Sequence, residues 1–334
     1  MNVSLLHDKV YGCLAGGLIG DAMGAPVEGW HHQHIKEKHG EITDFDGDGT
    51  DDSAIKMILC DALLKHNGHV TADEFAASFL RNPQYHKMLF TPVRNTLAKI
   101  ENELELPVHA GLGNQPSSSS AMAIAPMGVV NACNPRQAAL ETYDVAGLIH
   151  AGSSSFCRDA ACAIAAAVAE AMKPNATVES VLDAATAYLH AKSAAVMTDH
   201  IHKVIALAKS LNDYEAFRAA FYERHTFRIM CDSRETVPCV FALFYLANGN
   251  PEKAVIYGAN FGRDTDTIAT MAGALAGAFA GASGFRRSWI EKLPTEQDKL
   301  ARDLMAVTRK KYGDAEAALS AFKALEGGRP RPPL

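Results

Sequence analysis

The sequence has no surplus of positive charge: 32 Lys and Arg stand against 38 Asp and Glu, a formal net charge of −6. Binding to a nucleic-acid backbone relies on clustered Lys and Arg, so no nucleic-acid partner is expected. Pairs of the form C-x-x-C are also missing, and the seven cysteines (Cys13, Cys60, Cys133, Cys157, Cys162, Cys231, Cys239) are odd in number and sit mostly among Ala and Leu. They are read as small core residues of a reducing, cytoplasmic setting and not as a disulfide framework. No run resembles a membrane span of about 20 strongly apolar residues. Tyr11–Gly20 follows His7, Asp8 and Lys9 and is rich in Gly, unlike a signal core, while Thr267–Ala282 is mostly Ala and Gly and opens on an acidic turn. No membrane partner is expected. Strand signals are scarce, and neither a fixed-period repeat nor a linker long enough to split the chain occurs. With 334 residues, 48% of them hydrophobic, the chain can bury a large core.

Within that apolar background, Asn260–Gly281 stands out. A carboxylate-bearing turn feeds directly into a helix of small apolar residues in which Gly273, Gly277 and Gly281 recur every fourth position. Interior Gly costs about 1 kcal/mol relative to Ala, so its repetition points to a buried helix that neighbours approach closely. Asp264 and Asp266 lie at its N-terminal mouth. The helix dipole favours an anion there by about 0.3–1 kcal/mol, whereas two carboxylates about 4 Å apart repel by roughly 4 kcal/mol at an effective dielectric near 20. A bound cation would resolve that conflict. A second glycine-lined helix is predicted over Leu5–Ala22, capped by Ser4, with Gly12, Gly16, Gly20 and Gly24 at the same spacing and Asp21 and Glu28 flanking its exit. Alone, Glu28 reads as a solvated loop carboxylate.

The acidic run Asp44–Asp52 invites comparison with a calcium loop: Asp44, Asp46 and Asp48 would be ligands and Gly49 the obligatory glycine. Position twelve is Ile55 where an acid is required, and His31–Gly40 lacks the apolar face of an entering helix. The better reading makes Thr50 an N-cap with Asp51 and Asp52 in the first turn of a helix whose stripe is Ile55, Ile58, Leu59, Ala62 and Leu63. Plain capping accounts for this motif, or for the one at Asp264, taken singly. Helix signals continue along the chain. Thr71 and Glu74 form a capping box, and Thr91-Pro92, Asn134-Pro135 and Asn250-Pro251 each read as a cap before a Pro at the first helical position. Helices are predicted over Phe156–Met172, Val178–Lys192, His200–Leu211, Tyr214–Glu223, Thr295–Lys311 and Ala315–Leu325, giving one all-α domain over 1–326 with a frayed tail at 327–334. The serine run at Ser117–Ser120 can bind an anion or a sugar or be a flexible linker, and His150 between two helices reads by itself as a packed or capping residue.

Taken in order, GDAMGAPVEGW, GTDDSAIKMILCDALL, GN…SSAMAIAPMG, LIHAGSSSFCRDA and GRDTDTIATMAGALAGA resemble the successive motifs of the ADP-ribosylglycohydrolase superfamily, from Gly12 to Gly281. The resemblance implies a compact, orthogonal, all-α multi-helix domain with two divalent cations, Mg or Mn. It implies hydrolysis of an N- or O-glycosidic bond at ribose C1″ of an ADP-ribosylated protein or small molecule. Carried over by position, Thr50, Asp51 and Asp52 would hold one metal, Asp264 and Thr267 the other, and Asp266 would bridge them. Glu28 would act as base or electrostatic stabiliser, and Asn114, Ser119, Ser120, Met122, His150, Gly262 and Arg263 would contact the substrate. The oxygen-only donor set suits hard cations.

Two departures bear on the substrate. The family commonly has Gly-Asn-Gly-Ser-Ala-Met-Arg, whereas this chain inserts Gln115–Ser119 after Gly113-Asn114 and has Ala123 in place of the Arg. Arg263 precedes Asp264 where Gly is frequent, and from there it can supply the absent charge or pair with a carboxylate. A smaller ribosylated compound, such as a nucleoside, is therefore a second candidate substrate. Two other classes are a non-catalytic ADP-ribose binder, opposed by the complete acidic set, and a structural calcium protein, opposed by Ile55.

Overall fold

The computed structural model describes residues 4–326, which hold sixteen α-helices and no strand. The tail expected at 327–334 lies outside them. The all-α expectation is met, and its organising feature is the pairing of the two glycine-lined helices with each other.

Leu5–Gly24 begins at Ser4, whose hydroxyl accepts from the His7 amide, and it runs antiparallel to Thr265–Ala280. Their backbones touch. A Cβ added at Gly16 would stand 2.1 Å from the Gly273 carbonyl oxygen, one at Gly277 2.0 Å from that of Gly12, and one at Gly24 2.5 Å from the Asp266 Cα. The register therefore brings the C-terminal end of the first helix, with Asp21 and Gly24, to the N-terminal mouth of the second, with Asp264 and Asp266. Leu5–Val27 has the length and hydropathy of a membrane span, but most of it is buried in this packing. Lys9, a buried residue of this helix, donates to the carbonyls of Ala171, Ala278 and Phe279 and so serves the C-terminal ends of two other helices.

Around this pair pack Phe156–Ala171 and Ser233–Leu246, both buried over most of their length. The sequence pattern passes over Ser233–Leu246 because Pro238 interrupts it, yet the helix continues through the proline. His32–His39 is helical too, although it buries only Ile35. Gly281, expected on the close-packed face, ends the central helix instead, with φ +85° at its C-cap. Thr91 is the first helical residue after Phe90 and not a side-chain cap, whereas the caps at Thr50, Thr71, Asn134 and Asn250 form as expected. Two boundaries shift: Val178–Ala187 stops short of Lys192, and Ala195–Leu211 starts before His200. The two helices expected beyond Thr295 are one, Thr295–Glu326, because a single interior Gly313 with open space around it weakens a helix without breaking it.

These glycines make opposite predictions. Gly16→Ala forces the two central helices apart and lowers stability by about 3 kcal/mol, the upper end of ordinary overpacking. Gly313→Ala meets nothing and raises it by up to about 1 kcal/mol. Denaturant midpoints at equal slope measure both, and equal effects of the two substitutions would refute the close approach.

Candidate active site

Four chain segments deliver oxygen ligands to one cavity of about 280 Å³. The first is the helix Asp51–Lys65, whose start is held from outside. Asp21, fully buried, accepts from the backbone amides of Thr50 at 2.9 Å and Ser53 at 3.0 Å and from the Thr50 hydroxyl at 2.9 Å. A carboxylate of Leu5–Gly24 thus caps Asp51–Lys65 and aims Asp51 and Asp52 at the cavity. The Thr50 hydroxyl also stands 3.4 Å from Asp52 Oδ2 and 3.5 Å from Asp266 Oδ2. Thr267 Oγ1 lies 3.4 Å from Asp52 Oδ2, which closes a ring of oxygens between the two helix mouths.

Glu28 reaches the same place through a backbone tie. Gly262 and Arg263 both have left-handed φ, +87° and +65°, and this turn exchanges two 2.7 Å bonds with the residues after Glu28: Gly29 N–H to the Arg263 carbonyl, and Arg263 N–H to the Trp30 carbonyl. As a result, oxygens of Glu28, Asp264 and Asp266 all lie within 4.8 Å of one another.

So many carboxyls in a buried cluster cannot all ionise unaided. Burial first, and then facing carboxylates, pushes Asp51 up to about 6 and Asp264 up to about 7. Asp52 and Asp266 go well above the usual carboxylate range for the same reasons, each facing the other acids, and Glu28 rises mainly through partial burial. Asp52 Oδ1 is buried and has no hydrogen-bond partner. Lys56 is buried within the electrostatic reach of Asp21 and Asp52. An orphaned carboxylate oxygen, a donor set of carboxylates and hydroxyls, and mutually raised carboxyls fit a hard divalent cation.

The serine run is a locked turn and not a flexible linker. Ser117, Ser118, Ser119 and Ser120 are all buried. Ser118 N–H donates to the Cys231 carbonyl at 2.7 Å, its hydroxyl lies 3.2 Å from Asp264 Oδ2, and Ser233 donates to the Ser117 carbonyl. His150 supports the turn from behind, with its Nδ1 2.8 Å from Ser120 Oγ and its Nε2 3.1 Å from Ser117 Oγ. Complete burial lowers His150 to about 4, so it is neutral and serves as a strut.

Of the expected site residues, Glu28, Asp51, Asp52, Ser119, Met122, Asp264, Asp266 and Thr267 line the cavity, with Thr50 at its floor. Five others do not line it. Asn114 turns its amide to the carbonyls of Pro92 and Ile149 and to Thr96, and Ser120 and His150 form the support just described. Gly262 packs under Tyr222. Arg263 does not supply charge from the opposite wall, because its guanidinium is held by the fully buried Glu235 and the Phe227 carbonyl. Sequence reasoning missed Asp21 as the organiser of Thr50, although a lone carboxylate in a glycine-lined apolar helix was a signal. It also missed Lys87, Met88, Phe90, Arg94 and Met230, which line the cavity without any local motif.

Comparison with known proteins extends the geometry. The family model for ADP-ribosylglycohydrolase matches residues 2–314. The chain belongs to the ADP-ribosylglycohydrolase family. The chain is 26% identical over 306 residues to the uncharacterized protein YegU of Escherichia coli K12, covering 82% of this chain and 88% of that one. It is 24% identical over 347 residues to the bovine ADP-ribosylhydrolase ARH3, covering 90% and 93%. A solved structure titled ADP-ribosylglycohydrolase-related protein complex superposes with a TM-score of 0.69 at 22% identity over 92% of this chain and all of that one, a likeness of fold. Membership in a glycohydrolase family supports a hydrolase, and Glu28, Asp264 and Asp266 form an acidic cluster with the donor spacing to hold a metal ion.

Proposed function

We propose that the chain is a divalent-metal-dependent glycosidase that hydrolyses the N- or O-glycosidic bond at ribose C1″ of an ADP-ribosylated protein or small molecule. One observation carries the reading: Glu28, Asp51, Asp52, Asp264 and Asp266 converge from separate helix ends on one cavity floor. Thr50, Asp51 and Asp52 would hold one cation, Asp264 and Thr267 a second, and Asp266 both, with Mg or Mn favoured by the all-oxygen donors. When bound, such cations supply positive charge that orients ribose hydroxyls and polarises the anomeric centre.

The protein groups do the rest. Glu28, on the open side of the cluster, can take a proton from an attacking water or hold negative charge against an oxocarbenium-like centre. Asp21 and the Gly262-Arg263 turn keep the two helix mouths and Glu28 in register, so the reacting geometry is set before substrate arrives. Ser118 and Asp264 stand in hydrogen-bond contact, which orients that carboxylate.

A smaller ribosylated compound remains the second reading, because Ala123 and the tied Arg263 leave the serine-loop wall without a cation. Both readings meet the same experiment. Incubation of the chain and Mg or Mn with ADP-ribosylated protein, ADP-ribosylated amino acids and a nucleoside, followed by chromatography, should release free ADP-ribose, and excess chelator should stop it. Cleavage of the nucleoside alone would select the second reading, and turnover in chelator would refute the metal.

A further inference from the structure

The cavity wall contributed by Lys87–Arg94 has no role in the reading above, which accounts only for the floor. After the turn at Pro83–Tyr85 the chain passes Lys87, Met88 and Phe90 and enters the helix Thr91–Glu101, on which Arg94 lies one turn in. This segment is anchored. Leu89 and Val93 are buried beneath it, and the Phe90 amide donates to Asp51 Oδ2 at 3.2 Å, which ties the wall to the acidic floor. On that anchored base, Met88 and Phe90 leave 45% and 39% of their surface exposed although they line the cavity. Exposed apolar side chains gathered around a polar cleft mark a contact surface.

The cations here are also distinctive. Arg81 pairs with Asp61 and His86 faces Glu101, whereas Lys87 and Arg94 have no ion-pair partner among the described residues, and they are the two basic residues lining this cavity. The leading charges acting on Asp51, Asp52, Asp264 and Asp266 are those of other carboxylates. Lys87 and Arg94 are therefore unpaired cations on the wall of this cavity, free to meet an anion that enters with the substrate. A guanidinium grips phosphate through two parallel bonds, an aromatic face stacks on any base, and Met adapts to an irregular contact.

We propose that Arg94 and Lys87 bind the phosphates, and Phe90 with Met88 the base, of a nucleotide-bearing substrate whose ribosyl bond lies over the carboxylates. This rests on the glycosidase reading and narrows it: the positive charge missing at Ala123 and withdrawn at Arg263 comes instead from the Lys87–Arg94 wall. The substrate class becomes a phosphate-bearing nucleotide conjugate, with a plain nucleoside disfavoured.

Calorimetric titration of ADP-ribose and of adenosine into the full chain with Mg tests it. Arg94→Ala, an exposed helix position, should weaken ADP-ribose by about tenfold or more, the usual range for a hydrogen bond to a charged group, and Arg94→Ala with Lys87→Ala should weaken it further. Adenosine should be unaffected by both. Phe90→Ala should weaken both ligands by about fivefold or more, the range for one stacked base. Mg affinity unchanged in every variant checks that the floor is intact. Added salt should weaken ADP-ribose binding in the parent more than in the double variant. Undiminished ADP-ribose binding by the double variant, or an equal loss for adenosine, overturns the assignment while leaving the glycosidase reading standing. Absence of ADP-ribose binding by the parent chain overturns both.

Discussion

Replacing Asp266 with Asn should remove most divalent-cation binding and lower turnover by about 10²–10³-fold, the range found when a charge-stabilising group is taken from a reacting centre. Asp264→Asn should do less. Asp266 is buried between the two helix mouths: its Oδ2 is 3.5 Å from the Thr50 hydroxyl, and its carboxylate shares a 4.8 Å cluster with Asp264 and Glu28. It is the carboxylate assigned to both halves of the proposed metal centre, so losing its charge weakens two sites, whereas losing that of Asp264 weakens one. Asn keeps the side chain's shape, and the backbone contact with Gly24 is unchanged, so the fold should survive. Protons compete with the cation for the same oxygens. With Asp51 raised to about 6 and Asp264 to about 7, apparent affinity should climb as pH passes through 6 and 7. Those raised carboxyls also make the metal-free fold lose stability as pH rises from the ordinary carboxylate value of 3.8 up to about 6 and 7, since ionising them is harder folded than unfolded. Metal should therefore raise the melting temperature more at pH 8 than at pH 5. Two intact cation sites in Asp266→Asn, or an affinity indifferent to pH, would contradict this arrangement.

Glu28→Gln separates two roles that the cluster leaves adjacent. Gln keeps size and hydrogen-bonding reach but cannot accept a proton. As a base or a charge stabiliser, Glu28 should cost kcat about 10²-fold or more when replaced, with cation affinity nearly unchanged. As a ligand, its loss should lower cation affinity in parallel with kcat, and excess metal should restore part of the rate. Its position allows either, since its oxygen lies as close to those of Asp264 and Asp266 as the 4.8 Å cluster requires. It is also on the exposed side of that cluster, where a water can reach it, and this favours the first outcome. Kinetics at saturating metal together with calorimetry decide the matter, and an unaltered kcat would return Glu28 to a solvated loop residue.

Local chemistry determined a good deal of this protein. Helix content, the caps at Ser4, Thr50 and Thr71, the two glycine-lined helices and the two acidic helix mouths are all carried by residues near one another in the chain, where spacing directly reports which face a side chain occupies. The motifs at Thr50–Asp52 and Asp264–Thr267 were legible for that reason, more than 200 positions apart. What the chain alone left undecided is everything that depends on which surfaces meet. Only the packed structure pairs the glycine faces with each other, turns Asp21 into the cap of another helix, and ties Arg263 to Glu235. It also makes struts of His150 and Asn114 and brings Lys87, Phe90 and Arg94 over the carboxylates. A buried hydrogen bond or ion pair forms wherever desolvated partners happen to lie in reach. That reach is set by the antiparallel register of two backbones in contact, a property that no single stretch of sequence contains.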